Sequence, residues 1–176
     1  MAFEDETEMH LNPTITACWT EAGNQQEIES AGNDERYQIF GSVDYRSGDI
    51  VYQQEERKRS VEYVAHLEAV LSRWPDRPVI LISDNYSIHK TKAVRDFERE
   101  HFGRLLLVYL PTYSPGLNPI EMLWRHLRRL VTHNHRFESL SDIMEAVQNA
   151  LESLAMETDS ILSIIGGVPL RPAETT

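Results

Sequence analysis

From residue 61 to residue 132 the chain alternates between helical and extended apolar patterns, and this alternation restricts its fold more than any other feature. Val61, Val64, Ala65, Leu67, Val70 and Leu71 recur at helical spacing until Pro75 stops them. Val79–Ile82 follow as four apolar residues in a row, three of them β-branched, the pattern of a strand covered on both faces. Residues 91–102 predict a charged amphipathic helix with Val94 and Phe97 inward, and Leu105–Leu110 a second buried strand stopped by Pro111. Residues 119–132 place Ile120, Leu123, Trp124, Leu127, Leu130 and Val131 on one helical face, and a last helix is expected over about 140–155. Ahead of these units the period is two. Met1–Phe3 opens a short strand, Ile15–Thr20 is extended, and residues 21–35 are a polar loop. Tyr37, Ile39, Gly41 and Val43 then alternate with Gln38, Phe40, Ser42 and Asp44, and Ser47–Gly48 turns into a strand over Asp49–Gln53. Antiparallel strands followed by helix–strand units predict an α/β mixed sheet with helices on both faces.

The 176 residues suit one domain, expected over 1–155, with 156–176 as a C-terminal tail that is loose beyond Gly166–Gly167. The single cysteine, Cys18, excludes an internal disulfide and a thiolate zinc cluster and fits a reducing compartment. Between Ala17 and Trp19 it reads as a small buried apolar side chain, with a nucleophile as the alternative. No apolar run is long enough for a membrane span, and the acidic start MAFEDETE is not a secretion signal. The net charge of −11 argues, taken whole, against nucleic acid as a partner.

Three carboxylates stand at the ends of these elements. Asp84 follows the run Val79–Ile82, where α/β sheets place their sites, but it or Ser87 could equally cap a helix starting near Lys90. Glu121 follows Asn118, a good N-cap, and Pro119, a good first helical residue, so it could close a capping box or aim across a cleft. Asp5 shares a strand face with Phe3, and Glu4 and Glu6 take the other; alone, Asp5 would be a solvated surface group. Converging acids of this kind suit two-metal phosphoryl transfer, because divalent ions such as Mg²⁺ need oxygen ligands.

Ile82–Lys90 (ISDNYSIHK) and Leu110–Trp124 (LPTYSPGLNPIEMLW) resemble the DDE transposase domain of the Tc/mariner superfamily, most closely its bacterial insertion-sequence branch. Phe3–Glu6 resembles the family's first catalytic strand, Cys18–Trp19 its second strand, and Phe40–Asp44 with Ser47–Gly48 its hairpin, so the likeness covers about residues 3–155. The resemblance implies an RNase H-like fold and Asp5, Asp84 and Glu121 as the catalytic, metal-binding triad, with two Mg²⁺ or Mn²⁺ ions. Asp5 and Asp84 would share one ion and Glu121 would hold the other. It implies cleavage and strand transfer of DNA at transposon ends, in a bacterial cytoplasm. Asn85 and His89 match positions beside the site, to orient ligands or phosphate; for His89 the alternative is an ordinary helix-start hydrogen bond. Asp44 aligns with the hairpin and not with the triad. The family's helix-turn-helix modules have no counterpart here and only Met1–Glu4 precede Asp5, so the expectation is a catalytic half. It would be a separately encoded second frame or a truncated remnant, with a homodimer as one assembly. The rival readings are an inactive or domesticated remnant that only binds partners, and another RNase H-like nuclease.

Resolved along the chain, the charge no longer excludes DNA. Residues 88–137 carry nine Lys or Arg against four acids, a net of +5, while residues 1–87 carry −10 and 138–176 carry −6. Arg125 and Arg128 share a helix face with Glu121 and either pair with it or meet phosphate; Lys90, Lys92 and Arg129 are further phosphate contacts. The acidic remainder predicts weak DNA binding by this domain alone.

Overall fold

The structure, a computed structural model, describes residues 1–17, 19, 21, 27–28, 32, 35–112 and 114–167. Five strands form one mixed sheet: β1 (Ala2–His10), β2 (Arg36–Asp44), β3 (Ile50–Glu55), β4 (Val79–Ser83) and β5 (Leu105–Tyr109), in the order β3-β2-β1-β4-β5. β1, β2 and β3 pair antiparallel, whereas β4 runs parallel to both β1 and β5. The parallel crossovers are made by α1 (Ser60–Arg73) before β4 and α2 (Lys92–Glu100) before β5. Then come α3 (Ile120–Val131), α4 (Leu140–Met156) and α5 (Thr158–Ile165). This is the expected mixed α/β sheet, and the two apolar periods of the sequence fall on these elements.

The sheet separates two cores. Ala2, Phe40, Leu81, Val94, Phe97 and Leu107 pack with Tyr63, Leu67 and Val70 of α1 on one face. Met9, Ile39 and Val43 pack with Leu123, Trp124 and Leu127 of α3, and with α4 and α5, on the other. His66 and Tyr63 are fully buried on α1 while Val61 is exposed, so the helix presents a more polar face than its aliphatic residues suggest.

Other expectations are corrected. Neither β4 nor β5 is covered on both faces: Ile80 of β4 and Leu106 and Val108 of β5 remain 41%, 52% and 40% exposed, because α3–α5 stack over β1–β3 and leave the β4–β5 side open. Leu130 lies at the edge of the α3 stripe and is exposed. Within 15–20, the described residues form no strand. Thr14 makes a single bridge to His133, and the Asn134 side chain bonds both Thr16 N (2.9 Å) and Thr16 O (3.1 Å), replacing a strand partner. Cys18 lies outside the described residues, as do most of the 21–35 loop and the chain beyond Gly167. Thr158–Ile165, expected within the tail, instead form α5, whose Ile161, Leu162 and Ile165 join the core under α3.

Candidate active site

β1 carries acids on both faces of the sheet. Its odd-numbered residues face α3: Phe3 and Met9 join the core there, and Thr7 accepts a hydrogen bond from Arg128. Its even-numbered residues face α1, where Ala2 is in the core and Glu4 and Glu6 approach His89. Asp5 therefore lies on the α3 side, as alternation predicts. β1 and β4 pair in parallel as Ala2–Leu81 and Phe3–Ile82; continuing that register by two residues brings Asp5 beside Asp84 on the same face.

Glu121 reaches the same place from the first turn of α3. Together with Asp84, Asn85, Tyr86, Pro111, Ser114 and Asn118 it lines a cleft of about 390 Å³. The charge of Glu121 acts on Asp5, and that of Asp84 on Glu121. Asp84 and Glu121 thus line one cleft, and Asp5, which is not among its lining residues, is linked to them by strand register and by the charge of Glu121. The capping-box alternative is not realised. The buried Asn118 does not cap α3; its Nδ2 donates to the Glu4 carbonyl at 2.8 Å, tying the start of α3 to β1 next to Asp5. Asp84 does not cap α2 either, since Thr91 does so by accepting from Val94 N. Asp84 instead accepts from Tyr86 N at 2.9 Å, which shapes the turn after β4.

The electrostatics of the group are unbalanced. Burial, then Glu6 and Glu121, push the Asp5 carboxyl up to about 7. Burial likewise raises Glu121, against the opposing pull of Arg125 and Arg128. Asp84 is held below the usual carboxylate range, chiefly by its hydrogen bond with His89. Asp5, Asp84 and Glu121 offer only oxygen donors and are short of positive charge, so the donor set fits a hard divalent cation.

His89 lies on a 3₁₀ turn, Ser87–Lys90, and is completely buried. Its Nδ1 is 3.2 Å from Asp84 Oδ1 and its Nε2 2.9 Å from Glu6 Oε1. Burial disfavours the imidazolium, but the carboxylates of Asp84, Glu6 and Glu4 prevail and push it up to about 11. It therefore faces carboxylates rather than solvent. Burial raises the Glu4 carboxyl well above its ordinary value, and both its oxygens lack hydrogen-bond partners. Glu4, Glu6 and His89 lie close enough to share an ion, yet His89 and Lys58 already put positive charge there; Lys58 Nζ is 3.2 Å from Glu6 Oε2.

The remaining predicted residues are spread more widely. Asn85 lines the cleft, its Oδ1 buried and unpartnered. Arg128 bonds Thr7 and interacts with Asp5 and Glu121, while Arg125 is exposed one turn along from Glu121. Arg129 is exposed, Lys90 lies over the Tyr109 ring, and Lys92 is held by Asp96 at 2.5 Å. Asp44 sits at the opposite end of β1, paired with Ala2, where it accepts from Arg46 N and Ser47 N and binds Arg77 at 2.6 Å; it is a hairpin residue. Tyr113 of the proline motif lies outside the described residues. Sequence reasoning missed Lys58, because a basic loop residue carries no periodic signal.

A family model for DDE superfamily endonucleases matches residues 1–144. The chain is 29% identical over 154 residues to an uncharacterized 39 kDa protein of insertion element IS630 from Shigella sonnei, covering 87% of this chain and 45% of that protein. It is 35% identical over 78 residues to the Tcb2 transposase of Caenorhabditis briggsae, covering 40% and 28% of the two chains. The chain thus spans less than half the length of these relatives. Its fold is similar to that of the Mos1 strand transfer complex, with a TM-score of 0.69 and 19% identity over 94% of this chain and 50% of that one. The catalytic domain of Mos1 mariner transposase superposes with a TM-score of 0.56 and 14% identity, over 94% of this chain and 82% of that one. The five strands, the cleft between β4 and α3 and the proline-rich motif all fall within the matched residues, and the chain belongs to the DDE superfamily endonucleases.

Proposed function

We propose that this domain cleaves DNA strands at transposon ends and transfers them to target DNA, with Asp5, Asp84 and Glu121 as the residues that hold two Mg²⁺ or Mn²⁺ ions. The reading is supported by Asp84 and Glu121 lining one cleft at the start of α3, with Asp5 level with Asp84 when the β1–β4 register is continued and under the charge of Glu121. Bound divalent ions would supply Lewis-acid stabilisation of the attacking and leaving oxygens. The protein's own contribution is positioning. Asn118 fixes the start of α3 to β1, so that Glu121 keeps its distance from Asp5. His89 orients Asp84 from beneath, and Asn85 lines the cleft wall. Arg125, Arg128 and Arg129 on α3, with Lys90 and Lys92 on the far side, meet the phosphate backbone. In the first reaction water attacks the phosphodiester and the 3′-oxygen leaves as a hydroxyl; in the second that hydroxyl attacks a target phosphodiester.

The isolated domain is expected to bind DNA weakly, with end recognition and pairing supplied by a helix-turn-helix half and a second copy. Among the described residues no helix is long and apolar enough to cross a membrane. Incubation with insertion-element end DNA and Mn²⁺ tests the proposal. The expected result is metal-dependent nicking that is lost in Asp84→Ala, whose half-exposed side chain leaves the core intact. No nicking by the wild type, or equal nicking by Asp84→Ala, refutes it.

A further inference from the structure

We propose that Lys58 is a phosphate-contacting residue of this cleft and that the buried Glu6 is the positioning residue that aims it, the ligand being the backbone phosphate of a DNA strand. The inference rests on the strand-cleavage reading and adds a second basic wall to it.

Lys58 lies between β3 and α1, outside the basic stretch that the charge distribution singles out. Its Nζ is 3.2 Å from Glu6 Oε2 and 4.4 Å from the centre of the Tyr86 ring. Tyr86 lines the cleft with Asp84 and Glu121, so the ammonium sits at the cleft's edge. The Lys58 side chain keeps 28% of its exposure while that of Glu6 has none. The ammonium is thus anchored on its inner side and open on its outer side. Its charge reaches both Asp5 and Asp84.

An ammonium has three donors, and Glu6 engages one side of it. The Tyr86 ring contributes attraction without consuming an acceptor. Donor capacity therefore remains toward the cleft. A lysine normally loses much rotamer freedom when it meets phosphate; here part of that ordering is already supplied by Glu6. Across the cleft Arg125 and Arg128 approach Glu121 from α3, so a strand seated between them would meet positive charge on both sides.

The plain alternative is that Lys58 only neutralises Glu6. Glu6 does not depend on it, because its other oxygen already lies 2.9 Å from the His89 imidazole. One buried carboxylate holds two cations: His89 points up to Asp84, and Lys58 points outward beside it.

The two readings separate in DNA binding. Affinity for a fluorescent DNA duplex would be measured by anisotropy over a salt series in Ca²⁺, for the wild type, Lys58→Gln, Lys58→Arg and Glu6→Gln, with nicking in Mn²⁺ measured in parallel. Loss of one phosphate contact lowers the slope of log K against log salt by about 0.9. Lys58→Gln is expected to show that loss together with a fall in nicking of roughly ten- to a hundredfold, and Lys58→Arg to restore the slope. Glu6→Gln is the sharper variant. Removing an acid near a DNA site should tighten binding by electrostatics alone; loss of the same slope increment instead reveals positioning.

An unchanged slope in Lys58→Gln overturns the phosphate contact, whatever happens to nicking. Tighter binding by Glu6→Gln with the full slope overturns the positioning role. If Glu6→Gln does not fold, Lys58→Gln and Lys58→Arg still decide the contact. A wild type that binds with a Lys58-dependent slope yet never nicks would refute strand cleavage while leaving the contact standing. A wild type that binds no DNA would overturn both.

Discussion

At Gly41 the sheet and the third helix approach closely, and adding one methyl there tests whether that contact sets the site. Gly41 pairs with Asp5 across β1 and β2. A Cβ at this position would lie 2.3 Å from Trp124 Cη2 and 2.4 Å from Cζ2, with Ile120 Cδ1 at 3.6 Å. Trp124 is a rigid, fully buried indole on α3, one turn after Glu121. It cannot rotate away, so the helix must move outward by about 1 Å to restore ordinary contact. Removing a glycine from a strand should by itself stabilise by about 0.5–1 kcal/mol. Overpacking a core costs about 1–3 kcal/mol, occasionally more, and prevails here because both clashing atoms belong to an immobile ring. Gly41→Ala should therefore lower stability by about 1–2 kcal/mol in urea unfolding. A displacement of this size at Glu121 should reduce nicking about 10²-fold. Trp124→Phe removes the clashing half of the indole, so the double variant should recover part of both losses, with a coupling of at least about 1 kcal/mol. Gly41→Ala within about 0.5 kcal/mol of the wild type and with unchanged nicking would refute the reasoning.

Two further outcomes follow from buried polar groups. Asn118→Ala removes the bond to the Glu4 carbonyl and should cost about 1–2 kcal/mol in urea unfolding, with nicking lost further than stability explains, because it frees the start of α3. Burial lowers the His66 imidazole from 6.5 to about 4, with Ser42 Oγ 2.8 Å from its Nε2. The unfolded chain takes up this proton as pH falls through 6.5 while the folded chain resists until about 4, so the His66 contribution is full above 6.5 and lost on acidification. His66→Gln should flatten the stability–pH curve in that window by up to about 1.4 kcal/mol per pH unit, and parallel curves for the two proteins would sink the assignment.

The sequence exposed those parts of the molecule whose partners are near in the chain or repeat at a period. β2–β5, α1–α4 and the sides taken by Asp5, Glu4 and Glu6 follow from alternation and helical spacing, whereas β1 runs on from the expected short start to His10. What stayed hidden depends on distant contacts. Glu6 meets His89 across 83 positions, and the acids Glu4, Glu6 and Glu8 that share its face give no sign of that distant partner. Asn118 has the credentials of a cap, but Glu4's carbonyl, 114 positions away, takes its amide. The open face of β4 and β5 could not be foreseen from Val79–Ile82, because a β-branched run says a strand is central without saying how far the covering helices extend.

The arrangement of charge on β1 explains why acids so close together can have different tasks. Glu4 and Glu6 face inward, where the protein supplies His89 and Lys58 as cations. Asp5, between them in sequence, faces outward toward Glu121, where Arg128 interacts with it and the charge of Lys58 also reaches it. Arg128 is itself engaged by Thr7 and partly buried, so the outer layer remains short of positive charge while the inner layer is largely compensated. The deficit therefore falls on the one sheet face open to the cleft. A divalent ion would correct it there, and a DNA phosphate, repelled by the uncompensated acids, would be accepted only once that correction is made. On this argument metal binding should precede productive DNA binding, and the domain's net charge of −11 acts as a barrier to strands that arrive before the metal.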